Sequence, residues 1–525
     1  MRQGWLALVL VLSACAPGAT GPPPTQTLRL PTPSSTPWQP SPSPTSSPPT
    51  AIPTPLATPQ ALEDELGAQS MAMKEAFLAD LGLMGTATRY LIDLQVHLDP
   101  QGDQARLQGV ARIRYFNAGS DPLPDLALML WPNDEQYLAT MQAGPVLVDG
   151  REVPVEVLLD GLALLAKLDP PLEPGAWLDA SVPFRIQASG PIGGAVPRRF
   201  GITRGVLVAP TFYPLVPPRR EGTWDVLDAP PGGDTTTSET AFYTVRIDAP
   251  ADLVLVASGT ALQVHEEEGR RRVTYVSGPM RDFAIALGPF KGAVREVDGT
   301  LVRAWYLPEH EEDGGRMLQY GAEQFGLLSE MIMPYPYREL DLVDAPGAYG
   351  GIEYPGLVFI GTLGTPGVMI PVVHEVGHQW FYALIGDDQI REPWLDEGAA
   401  TFTQILYFEE YLGSGRAARE LSDFRAWLRS ASDPSKPIGL PVGAYADSGD
   451  YALMVYIKGA LFFETLRAEM GEQAFRRFLG AYAEAFRYRI ASGAEFQRLA
   501  EESCACELDA LFDLWVFEGG EIELP

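Results

Sequence analysis

The sequence predicts an α+β protein, an N-terminal β-sandwich or saddle followed by a mostly α domain, and three observations predict it. From Tyr90 to about Phe290, short alternating runs such as 90–96 and 111–115 are separated by Gly, Pro and Asp turns. That is the period-2 pattern of strands. After about residue 292 the period lengthens to that of helices, over 317–332, 371–386, 397–412, 451–470 and 472–486. Ahead of both, residues 16–60 hold 15 Pro and 15 Ser or Thr with Arg29 the only charge, a composition that builds no core. These shifts divide the chain into 1–14, 15–60, a helical lead-in at 61–85, a β domain at 86–291 and a second domain at 292–525.

Composition narrows the function. With 46% apolar and 10% aromatic residues, 525 residues can bury real cores. Lys plus Arg number 38 against 68 Asp plus Glu, a net charge of −30. Such a surface repels phosphate backbones, so nucleic acid is excluded as a partner. The three Cys, Cys15, Cys504 and Cys506, are too few for a disulfide framework. Cys504 and Cys506 fall in a predicted helix, where side chains two residues apart diverge, and are expected as unpaired thiols.

Taken in order, the first element is an export signal. Arg2 precedes an uncharged stretch, 5–12, too short to span a bilayer, and Leu12-Ser13-Ala14-Cys15 resembles the bacterial lipobox. That resemblance implies cleavage after residue 14 and acyl chains on Cys15. The expectation is an exported lipoprotein held at the bacterial cell surface or envelope by its lipid alone. The Pro-rich segment then acts as a tether, reaching on the order of 100 Å at ~3.1 Å per residue. Residues 61–85, with Leu62, Leu66, Met71, Phe77 and Leu81 among charges, read as an amphipathic helix. Within the β region, Gly193-Gly194 and Pro230-Pro231-Gly232-Gly233 lack the strand-before, helix-after context of a phosphate cradle and read as loops. The uncharged stretch 354–373 has membrane-spanning length, but three Pro and four Gly make it a buried strand, a loop and a helix start.

The chemistry is concentrated in His374-Glu375-Val376-Gly377-His378. On a helix, residues four apart face the same way, so His374 and His378 can grip one ion. Glu375 projects about 100° around the helix from His374, placed to hydrogen-bond an attacking water as a general base. A catalytic zinc needs a third protein ligand and an open fourth position. His97, His265 and His310 lie far off in sequence. Glu397, 19 residues after His378 at the start of the next predicted helix, is the candidate carboxylate.

The spacing His-Glu-x-x-His, eighteen residues, then Glu within Trp394-Leu395-Asp396-Glu397-Gly398 resembles the gluzincin metallopeptidases of the aminopeptidase N family. The likeness extends to His378-Gln379-Trp380-Phe381, to Gly350-Gly351-Ile352-Glu353-Tyr354 in place of Gly-x-Met-Glu-Asn, and to Tyr456-Ile457-Lys458-Gly459-Ala460. It implies a β-saddle followed by a thermolysin-like catalytic domain. The implied cofactor is one zinc ion per chain on His374, His378 and Glu397, with Glu375 activating water and Tyr456 stabilising the tetrahedral intermediate. Gly350, Gly351 and Glu353 would bind substrate, Glu353 taking the free α-amine. Tyr451 is either a second contact or a packed aromatic. The expected function is an aminopeptidase acting on peptides with a free N-terminus. Ile352 and Tyr354 depart from the family pattern. The match also implies a short form, since many members continue past the counterpart of 511–516 into a helical domain roofing the site. An open-cleft endopeptidase and a non-catalytic peptide-binding lipoprotein are the alternatives.

Overall fold

The computed structural model describes residues 66–99, 104–190, 199–228, 230, 232–233, 237–347, 349–364 and 367–523. The signal, Cys15, the tether, residues 61–65 and Gly193-Gly194 lie outside them. The predicted β lobe is present. Its main sheet holds the strands Thr88–Leu98, Gln104–Phe116, Trp177–Ser189, Ala241–Pro250 and Arg270–Val276. The first of these pairs antiparallel with the second and parallel with Ala241–Pro250. Tyr90, Ile92, Leu94 and Val96 alternate into the core as the period-2 pattern requires.

The second lobe opens with a five-stranded sheet rather than helices. Its order is Lys291–Val297, Thr300–Tyr306, Glu339–Asp344, Leu357–Ile360 and, at the edge, Gly351–Tyr354. The stretch 354–373 resolves into the end of that edge strand, its antiparallel neighbour and the start of a helix at Met369. No helix among the described residues is long and apolar enough to cross a membrane. The helix Glu311–Met331 packs on the sheet, followed by Met369–Gly377, Glu397–Tyr407, Ser414–Arg429, Gly459–Met470, Glu472–Phe486 and Gly493–Cys504.

Three expectations are corrected. The lead-in is not one amphipathic helix but short pieces, Leu66–Gln69, Ser70–Ala72, Glu75–Phe77 and Asp80–Leu83. Tertiary anchors break it: the Gln69 amide donates to Tyr243 O, Met73 bridges to Tyr337, and Asp80 pairs with Arg487. The helix predicted over 371–386 ends at Gly377, after which Tyr382 takes a φ of 116° as the chain doubles back from Phe381 to Ile385. Cys504 and Cys506 form a disulfide. The helix stops at Cys504 and Ala505 turns left-handed (φ 54°, ψ 44°), so the side chains no longer diverge.

Arg281 of the β lobe is one tie between the lobes. It is buried, and its guanidinium donates to Tyr382 O (2.7 Å), Ser238 O (3.2 Å) and Arg489 O (2.6 Å).

Candidate active site

The short helix Met369–Gly377 carries the first two site residues. Pro371 sits in its opening turn, where a missing N–H costs nothing, and His374 and His378 are one turn apart with their Nε2 atoms 3.1 Å from each other. The helix Glu397–Tyr407 brings the carboxylate. Glu397 Oε2 lies 3.1 Å from His374 Nε2 and 3.2 Å from His378 Nε2. Asp396 caps this helix, its Oδ1 accepting the Glu397 N–H at 2.6 Å.

Two motif glycines explain how Tyr456 arrives. A Cβ on Gly398 would lie 3.2 Å from the Gly459 Cα, and one on Gly459 would lie 2.9 Å from the Gly398 Cα, so the two backbones touch. That contact presses the Tyr456 segment, a π-helical turn at Ala452–Lys458, against Glu397. The Tyr456 hydroxyl donates to Glu397 Oε1, and its ring stacks on His374 at 5.6 Å. Tyr451 is also buried, 5.9 Å from the Tyr456 ring and close to Gly233.

Glu375 is buried beside the edge strand. A Cβ on Gly351 would fall 2.3 Å from Glu375 Cγ and 2.5 Å from its Oε1, so only glycine admits the carboxylate there. Gly350 accepts from the Gly361 N–H, anchoring the start of that strand. Glu353, two residues on, is 4% exposed on the same edge strand. All eight predicted residues of the catalytic lobe thus converge, while Cys15 lies outside the described residues.

Sequence reasoning missed the supporting layer. Gln404 contacts His374 Nδ1 at 2.8 Å, and His378 Nδ1 donates to Phe381 O at 3.0 Å. Gln404 lies seven residues after Glu397 on the same helix face, and that spacing was the available signal. Gln389 donates to both Glu353 Oε1 (3.3 Å) and Asp396 Oδ2 (3.1 Å), and no sequence pattern announces it. Gln379 ties the edge-strand turn to the helix through Tyr354 O and Gly356 N.

The electrostatics agree with a cation site. Burial acts to raise Glu397, yet the two imidazoles hold its carboxyl well below the usual range, in the ligating form. Burial pushes His374 down despite Glu397, keeping the ring neutral. His378 is also opposed by burial, but the carboxylates of Glu353, Glu397 and Glu375 carry it well above its ordinary value. Burial, with Asp387 and Glu397 nearby, raises Asp396.

The donor triangle fits a small divalent ion. Three ligands at 2.0–2.1 Å from one tetrahedral centre stand about 3.3 Å apart, close to the 3.1–3.2 Å sides seen here. Because His378 Nδ1 carries the proton given to Phe381 O, its Nε2 lone pair in the neutral ring faces the other donors. A separate cavity of about 840 Å³, among Tyr115, Arg219, Glu239, Arg281 and Tyr488, includes none of these residues.

A β lobe, a sheet edge and two helices that converge His, His and Glu on one point define the class, a protein with a buried metal site of the kind a zinc metallopeptidase uses. Residues 316–515 match the peptidase family M1 domain. Aminopeptidase M1 of Arabidopsis thaliana is 24% identical over 301 residues, 53% of this chain and 34% of the relative. Aminopeptidase B of Rattus norvegicus is 26% identical over 269 residues, 48% of this chain and 41% of the relative. The matched part therefore spans less than half the length of these relatives. An M1 zinc metallopeptidase from Deinococcus radiodurans has a TM-score of 0.63 at 21% identity, covering 84% of this chain and 95% of its own. A mutant of that protein has been crystallised with a Tyr-Ser-Ala substrate. At this identity the likeness establishes the fold, a β-rich lobe followed by a helical catalytic lobe.

Proposed function

We propose that the protein is a zinc-dependent aminopeptidase that removes N-terminal residues from peptides outside the cytoplasm. The observation that carries this reading is the buried carboxylate of Glu353, set on a sheet edge beside Glu375 and the His374–His378–Glu397 triangle. An ammonium paired with Glu353 in a dry site rewards an unblocked chain end, whereas an internal peptide offers that carboxylate no cation. The open edge of Gly351–Tyr354 offers backbone groups to an extended substrate. The substrate named for the Deinococcus relative, a tripeptide, is of this class.

His374, His378 and Glu397 hold the zinc, which when bound polarises the scissile carbonyl and lowers the pKa of water toward neutrality. Glu375 takes the proton of the attacking water and returns it to the leaving amine. The Tyr456 hydroxyl donates to the oxygen on which charge develops, leaving its resting partner Glu397. Burial of the whole group keeps these interactions strong.

Release of a fluorophore from amino-acid conjugates tests the reading. Chelator-sensitive turnover is expected, falling at least about a thousandfold in Glu375→Gln with zinc content unchanged. Cleavage confined to end-blocked peptides would assign an endopeptidase instead, and peptide binding without zinc or turnover a non-catalytic receptor. The export reading rests on Leu12-Ser13-Ala14-Cys15. Fatty-acid labelling is expected in the intact chain and lost in Cys15→Ser; labelling that survives the substitution removes the anchor from the proposal.

A further inference from the structure

Glu353 and Asp396 come from different elements, the sheet edge and the residue before the metal-binding helix, yet both carboxyls are buried and both lie near His378. Two such groups repel when ionised, and both accept hydrogen bonds from one residue. What joins them is one neutral side chain. Gln389, 2% exposed, directs its Nε2 to Glu353 Oε1 at 3.3 Å and to Asp396 Oδ2 at 3.1 Å. The amide orientation is fixed by its partners, because turning the other end inward would set its oxygen against two carboxyl oxygens. The consequence is a buried Oε1 with no hydrogen bond, an uncommon and costly feature.

A neutral double donor accomplishes what a cation there would not. Arg or Lys would bind the two carboxyls more strongly, but it would also cancel the charge that draws a substrate ammonium. Asp396 Oδ1 meanwhile accepts the Glu397 N–H, so the linkage continues from Glu353 through Gln389 and Asp396 to a residue of the cation triangle. We propose that Gln389 is the positioning residue of the amine pocket: its two N–H hydrogens hold the Glu353 carboxyl in register with the Glu397 helix without neutralising it. The inference rests on the aminopeptidase reading above and goes beyond it in naming what sets the alignment of the amine pocket with the metal centre.

The test uses the intact chain with Gln389→Met, which keeps length and volume but donates nothing, and Gln389→Glu, which keeps shape but adds a third carboxyl. The substrates are a tripeptide with a free N-terminus and its N-acetylated counterpart. Binding of both is also measured by calorimetry in the Glu375→Gln background, with zinc content determined on every sample. For the free peptide, KM and the calorimetric Kd are expected to rise roughly tenfold to a hundredfold in Gln389→Met and further in Gln389→Glu. Zinc content should stay at the parent level and weak binding of the acetylated peptide should not change. A Gln389→Met protein that binds free peptide as tightly as its parent overturns the proposal. So does an equal loss for both peptides, the mark of a merely structural role. If Gln389→Met does not fold, the Gln389→Glu comparison decides alone. Failure of the aminopeptidase reading is separately visible, because the parent protein would then not prefer the free peptide over the acetylated one.

Discussion

At position 351 one hydrogen atom separates a working geometry from a blocked one. A methyl group there would sit 2.3 Å from Glu375 Cγ, so in Gly351→Ala either the Glu375 side chain or the edge strand must move. A displacement of about 1 Å in a reacting group costs on the order of a hundredfold. Gly351→Ala is therefore expected to lower kcat by about a hundredfold while zinc content and Tm stay near wild type; kcat within threefold of wild type would show that Glu375 does not act from this position. The His and Glu identities were legible in the sequence because their chemistry fixes their spacing. Gln404, Gln389 and Phe381 O were not, because a supporting hydrogen bond can come from any element that happens to pass. Tyr456 was legible only through resemblance, and the Gly398–Gly459 contact supplies the physical cause of its position.

Between elements, the tie of the lobes depends on protonation. Asp282 accepts from the Tyr382 hydroxyl and stands next to Arg281 in the segment that crosses from the β lobe. Burial raises its carboxyl, against the pull of Tyr382 and Arg281, to about 7. A folded-state pKa above the unfolded one means the folded chain holds the extra proton, so this group's stabilisation is full below about pH 4 and is lost as pH rises toward 7. Asp282→Asn removes that loss. The Tm of the variant relative to wild type is expected to increase from pH 5 to pH 8, and a difference that stays flat or shrinks would contradict the assignment. The helix after His378 was overextended in the sequence reading for a related reason. Periodicity continued through residue 386, but the chain doubles back at Tyr382 to meet Arg281. Long-range contacts likewise cut the lead-in into pieces, as Gln69, Met73 and Asp80 each answer to a different partner.

Across the described residues, one buried apolar cluster runs from the β lobe through the helical lobe. The cation triangle sits within it, drawing on two helices and, through Tyr456, on a third segment. Ligand binding to the folded state alone contributes RT ln(1 + [L]/Kd), about 4 kcal/mol at a thousandfold excess over Kd. For a chain of this size that is about 4 °C in Tm. Chelation is expected to lower Tm by about that amount, with recovery on adding zinc but not magnesium, since two imidazoles disfavour the harder ion. An unchanged Tm on complete removal of metal would place the ion outside the folded core.

By itself the sequence determined the order of a β lobe and a helical lobe and picked out His374, His378, Glu397 and Glu375, which the structure brings together. Those features are written in local periods and in spacings along one or two helices, which a linear chain carries directly. The tertiary structure alone decided the Gln389 link, the contact of Gly398 with Gly459, the early stop after His378 and the pairing of Cys504 with Cys506. Each depends on where backbones distant in sequence or turned out of helical geometry meet, and no local pattern encodes that meeting.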